Sequence, residues 1–167
     1  MRYAPTAVAL SLLAAVTASV GYGAPRAPNP AAAALEKSGQ AQLSAGRVQD
    51  ATDLFEAALT VDPADTSLYL DLAEAARQQG LQGKAIHYYR EALTREPGNL
   101  AAISGEGQAM VEKGAVEKAR RNLAKLQSLC GTGCAESRQL AAALERGPRT
   151  ALLTVEAVTP SPIVTQN

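Results

Sequence analysis

Tryptophan is absent, phenylalanine occurs once and aromatic residues make up 4% of the chain. A core poor in large rings must be filled by smaller groups. The apolar fraction of 47%, much of it alanine, therefore points to short helices in close contact. With two cysteines and one histidine, a zinc site would need further ligands that these residues cannot supply. Charge of one sign is not in excess either, because 16 basic residues face 16 acidic ones. No segment gathers Lys and Arg as neutralising a phosphate backbone requires, so a nucleic-acid partner is not expected. The length of 167 residues leaves room for one ordinary domain and tails.

Residues 1–23 have the layout of a secretory signal peptide. Arg2 supplies a short basic start, a weakly apolar run extends from Ala7 to Val20, and small residues follow. The run falls short of the roughly 20 residues that cross a membrane. Cleavage is expected between Ser19 and Ala24, which makes the protein exported, periplasmic or secreted; an uncleaved leader would instead leave it anchored. Residues 24–31 contain three prolines, Pro25, Pro28 and Pro30, and read as a linker.

A strict period then sets in. Gly46, Gly80 and Gly114 are 34 residues apart, as are Ala51, Ala85 and Ala119, and Phe55, Tyr89 and Leu123. Pro63 and Pro97 continue the series, with Gly131 in the third slot, while Leu35, Tyr69 and Ile103 mark one point of each leading helix. Gly39, Ala73 and Gly107 mark its close-contact position, where a bulkier side chain would push apart the two helices of one hairpin. The glycine between helices tolerates the positive φ that ends the first. The residue in the middle of the second helix fills space against the next unit.

On these residues the chain resembles a protein of three tetratricopeptide repeats, 32–65, 66–99 and 100–133, within a domain over 32–147. Some slots depart from the family's pattern: Ser38 and Gln42 in the first repeat, Glu106 and Leu126 in the third. The resemblance implies an all-α solenoid of helix hairpins. Leu140, Ala141 and Leu144 place a capping helix over 135–146, ended by Gly147 and Pro148, and residues 148–167 are expected to form a flexible tail.

What the resemblance implies about function is a concave groove that holds an extended peptide or a helix. Its expected lining is Glu36, Gln40 and Leu43 from the first leading helix, Leu70, Glu74 and Arg77 from the second, and Ser104, Gln108 and Val111 from the third. A subclass of the family grips a terminal carboxylate with Lys and Asn at these slots; Glu36, Gln40, Leu70 and Glu74 stand there instead, so that clamp is not expected. The resulting expectation is a non-enzymatic interaction scaffold of a bacterial-type cell envelope, with a protein or peptide partner and no cofactor. The alternative is a membrane-anchored envelope or secretion assembly factor.

Cys130 and Cys134 are the chemically suggestive pair. In an exported protein they suggest a disulfide, worth about 2 kcal/mol for so short a loop. Free thiols or a redox pair remain alternatives, although a C-x3-C spacing with no preceding strand does not match a redox motif. His87 falls on the outer, solvated side of its helix, with no nucleophile or carboxylate assigned to it.

Overall fold

A computed structural model describes residues 29–148. The expected leader (1–23), most of the linker and the expected tail after Pro148 lie outside the described residues. Within them the chain is all helical: α1 (Pro30–Ser44), α2 (Val48–Val61), α3 (Thr66–Gln78), α4 (Gln82–Arg95), α5 (Leu100–Glu112), α6 (Val116–Cys130) and α7 (Ala135–Arg146). Each pair α1/α2, α3/α4 and α5/α6 packs as a hairpin. Neighbouring hairpins touch through α2/α3 and α4/α5, and α7 lies against both α5 and α6. The result is an all-α solenoid. No described helix is long and apolar enough to cross a membrane.

The hairpin turns show why the period is written in glycine. Gly46, Gly80 and Gly114 have φ of 76°, 74° and 86°, a conformation that a Cβ disfavours. One residue later the chain bonds back into the helix it has left. The N–H groups of Arg47, Leu81 and Ala115 donate to the carbonyls of Gln42, Ala76 and Met110 at 3.0, 2.9 and 2.7 Å. These are the six-to-one bonds of a Schellman motif, and they satisfy carbonyls that the helix end would otherwise orphan.

One boundary moves. The proline-rich stretch was expected to exclude helix through residue 31, but α1 begins at Pro30. The Asn29 side chain caps it by accepting from the Ala31 N–H at 2.9 Å. Proline at the first helical position loses only an N–H that has no partner there in any case.

Between the helices, large side chains sit on small ones. Phe55 is fully buried, and a Cβ at Gly39 would meet its ring at 2.5–3.0 Å, so the first hairpin closes as the sequence suggests. Gly107 differs from that expectation. The side chain a Cβ would strike there is Leu140 of α7, not a residue of its own hairpin. The third hairpin thus uses its close-contact position to seat the seventh helix. Gly105 makes a further contact of this kind, with the Tyr89 ring of the preceding hairpin occupying the place of its missing side chain.

A candidate peptide-binding surface

The leading helices α1, α3 and α5 bring the expected lining residues onto one side of the array, and their exposure divides that side in two. On α1 and α3, Glu36, Leu43, Leu70, Glu74 and Arg77 are half-buried and Gln40 is exposed. On α5 only Gln108 of the expected residues remains half-open. Ser104 and Val111 are 2% and 1% exposed, a correction to their expected place in an open groove. The cause is α7. The Ser104 hydroxyl donates to the Glu136 carbonyl at 3.1 Å, and Val111 shares a pocket wall with Ala143.

Polar side chains knit the open part together. Gln40 Nε2 donates to Asp71 Oδ2 at 3.0 Å, and the Ser67 hydroxyl donates to Glu36 Oε1 at 2.7 Å, so each bond ties α1 to α3. Arg77, the cation of the surface, spans α3 and α5. Its guanidinium reaches Glu112 Oε1 at 2.7 Å, Glu74 Oε2 at 2.9 Å and Gln108 Oε1 at 3.3 Å. Burial works against the charge of Arg77, but the hydrogen bond to Glu112 and the fields of Tyr89, Glu74 and Glu112 outweigh it and raise its pKa. Burial likewise pushes the Tyr89 phenol up to about 12, with the nearby Glu74 carboxylate adding to the effect. Arg77 therefore serves as an internal brace between helices as well as a surface group.

Asp71 carries the opposite imbalance. Burial first, then the charges of Glu36 and Asp65, raise its carboxyl to about 6 despite the Gln40 hydrogen bond. The folded state thus holds a proton more tightly than the unfolded chain does, so stability declines as pH rises from about 4 to 6 and stays reduced above that range. Asp71→Asn is expected to stabilise the protein by about 1 kcal/mol at pH 7.5, after allowance for solvent screening at a half-exposed site, and to have little effect at pH 3.5. Thermal melts across this range check it, and an equal effect at both pH values would contradict the charge origin.

Two buried polar contacts escape sequence reasoning. Glu106, set in a slot where leucine was expected, is buried yet accepts from Arg90 Nε at 2.7 Å and Asn122 Nδ2 at 2.9 Å. Asp62, 2% exposed, accepts from the Asn29 N–H at 3.3 Å and ties the end of α2 to the start of α1. His87 is exposed on α4, with its ring beside that of Tyr88, centroids 5.7 Å apart.

At the α6/α7 corner the sulfurs of Cys130 and Cys134 are at covalent bonding distance, with Cα atoms 5.9 Å apart. Glu136 lies nearby, its carboxylate within 4.8 Å of both sulfurs. Sulfurs bonded to each other leave a single ligand in that group, and metal binding is not supported.

A family model described as tetratricopeptide repeat matches residues 6–66, 36–99 and 70–127. No curated protein sequence matches the chain. Among solved structures, the Sgt2 TPR domain from Aspergillus fumigatus is similar at 24% identity and a TM-score of 0.65, covering 86% of this chain and 96% of that one. The Yersinia enterocolitica type III secretion chaperone SycD, in complex with a peptide of the translocator YopD, is similar at 21% identity and TM-score 0.62, covering 68% and 89%. The first TPR of Spaghetti (RPAP3), bound to the HSP90 peptide SRMEEVD, is similar at 20% identity and TM-score 0.61, covering 69% and 94%.

Proposed function

Since the chain belongs to the tetratricopeptide repeat family, we propose that it is a non-enzymatic scaffold that takes an extended peptide or a short helix on the open face of α1 and α3. The observation that carries this reading is the division of the leading-helix face. Glu36, Leu43, Leu70 and Glu74 remain partly accessible and Gln40 is exposed, whereas on α5 the Ser104 and Val111 slots are closed, Ser104 by its bond to α7. Leu43 and Leu70 offer apolar contact and the carboxylates and Gln40 offer polar fixing points, the mixture that a peptide site uses. Two similar folds, SycD and the first TPR of RPAP3, are peptide complexes, which supports a peptide partner for this chain.

In this reading the three hairpins are the working repeats and α7 is the cap that closes the last one. Export through residues 1–23 would place the protein in an oxidising envelope compartment, and a Cys130–Cys134 disulfide would then fix the corner between α6 and α7. The paired Glu36→Lys and Leu70→Lys substitutions test the site. Both positions are partly exposed, and a lysine stem can lie along apolar surface, so the fold should survive. The expected result is an unchanged circular dichroism spectrum and roughly tenfold less co-purified partner from host envelope extracts, equivalent to ~1.4 kcal/mol. Undiminished capture would remove α1 and α3 from the binding role.

A further inference from the structure

Formal charge balances over the whole chain, at 16 basic and 16 acidic residues, but not along it. Residues 30–78, which form α1 to α3, carry eight carboxylates and three cations, whereas residues 113–146 carry three carboxylates and seven cations. The open α1/α3 face thus belongs to the acidic end of the array. We propose that the partner held there is a basic segment, whose Lys or Arg heads meet Glu36, Asp71 and Glu74 while its apolar side chains cover Leu43 and Leu70. This rests on the reading of the α1/α3 face as the binding site.

The cations of the acidic end do not neutralise that face. Arg77 is engaged by Glu112 at 2.7 Å and Glu74 at 2.9 Å, and Arg47 lies at the α1/α2 turn beside Asp50. Lys37 is exposed on α1. Among the described residues no Lys or Arg forms an ion pair with Glu36, Asp65 or Asp71. Neutral donors serve those three carboxylates instead. Ser67 Oγ lies 2.7 Å from both Glu36 Oε1 and Asp65 Oδ1, and its hydroxyl has a single proton for the two. Asp71 accepts from Gln40, yet burial and then the charges of Glu36 and Asp65 push its carboxyl up to about 6. Like charges held together without a cation work against the fold, and the same arrangement is the complement of a positive ligand.

The apolar part of the face fits the same occupant. Glu36 and Leu70 take one slot of neighbouring repeats, so an aliphatic surface stands next to a carboxylate, and Leu43 on α1 offers a second half-buried leucine. The stem of a Lys or Arg can lie along leucine while its head reaches the carboxylate. An acidic segment would instead meet Glu36, Asp71 and Glu74, with Arg77 already engaged by Glu112.

Selection of short random-sequence peptides on the full chain tests this. Peptides enriched on the wild type, relative to a Leu43→Gln, Leu70→Gln bait, are expected to be rich in Lys and Arg beside Leu, Ile or Val. The tightest of them should bind the Glu36→Gln, Asp71→Asn variant about tenfold more weakly and lose affinity on the wild type as salt is raised. The same change of charge at exposed positions of α2, Asp50→Asn with Asp53→Asn, should alter affinity by less than about twofold. Asp71→Asn is expected to stabilise the fold, so weaker binding with an unlowered melting temperature separates lost recognition from lost structure. Enriched peptides that depend on both leucines but are neutral or acidic would overturn the basic partner and leave the face as a site. Enrichment no greater than on the Leu43→Gln, Leu70→Gln bait would overturn the site as well. Equal weakening by the α2 pair would overturn a local charge match. A dimer of the full chain in sedimentation, dissociated by the Glu36→Gln, Asp71→Asn change, would make the basic α6 of a second copy the occupant in place of a separate partner.

Discussion

Phe55→Ala is expected to lower stability by about 3–5 kcal/mol, a large share of the ~5–15 kcal/mol that holds a typical domain. Phe55 is fully buried and joins Ala51, Leu72 and Ala75 in one core cluster, so its ring connects α2 to α3 as well as to α1. The facing position, Gly39, has no side chain to move into the space, and Leu72, Leu43, Val48, Leu59 and Tyr88 around it are already packed in or against the cluster. Chemical denaturation of the purified protein measures the loss. A companion change separates cavity from conformation. Gly39→Ala alone should destabilise, since its Cβ would enter the ring at 2.5 Å. In the Phe55→Ala background the same change should be neutral or stabilising, because the space is then empty and alanine suits a helix better than glycine. Additive losses would show that Gly39 is required for a reason other than the ring.

The second large effect concerns the brace across α3 and α5. The Arg77 and Glu112 side chains are 16% and 12% exposed and meet at 2.7 Å. Arg77→Met removes the guanidinium from a carboxylate that has little access to water, which should cost about 3 kcal/mol. Adding Glu112→Met should recover most of that loss, since two apolar groups of similar length need no solvation. The outer ion pairs should behave differently. Arg120 and Glu117, with side chains 64% and 75% exposed, sit in water and should contribute less than about 1 kcal/mol. A double-mutant cycle at each pair checks the contrast, and equal coupling energies would mean that burial does not govern the brace.

The sequence made some of these features visible and hid others, for identifiable reasons. Gly46, Gly80 and Gly114 stand out because a positive φ leaves one residue type strongly favoured, and such a demand repeats with every hairpin. Ala51, Ala85 and Ala119 are visible for the same reason, each being fully buried at the same point of a second helix. Gly105 did not stand out. Its equivalents at the 34-residue interval are Lys37 and Asp71, so the period carries no hint that Tyr89 would need that space. Glu106 looked like a fault in the pattern until Arg90 and Asn122, from two other helices, were seen to meet it. The closing of Ser104 and Val111 was hidden as well. Periodicity tells which face a residue occupies, while the placement of α7 over that face depends on how Leu140 seats against Gly107.

The most direct measurement of the account is site-resolved photo-crosslinking in the native host, with the photoreactive residue at Leu70 on the open face of α3 and, in a separate strain, at exposed His87 on α4. A discrete protein adduct from position 70, absent from position 87, is the predicted result. Adducts from position 87 alone, or equal adducts from both, would contradict a partner held on the α1/α3 face.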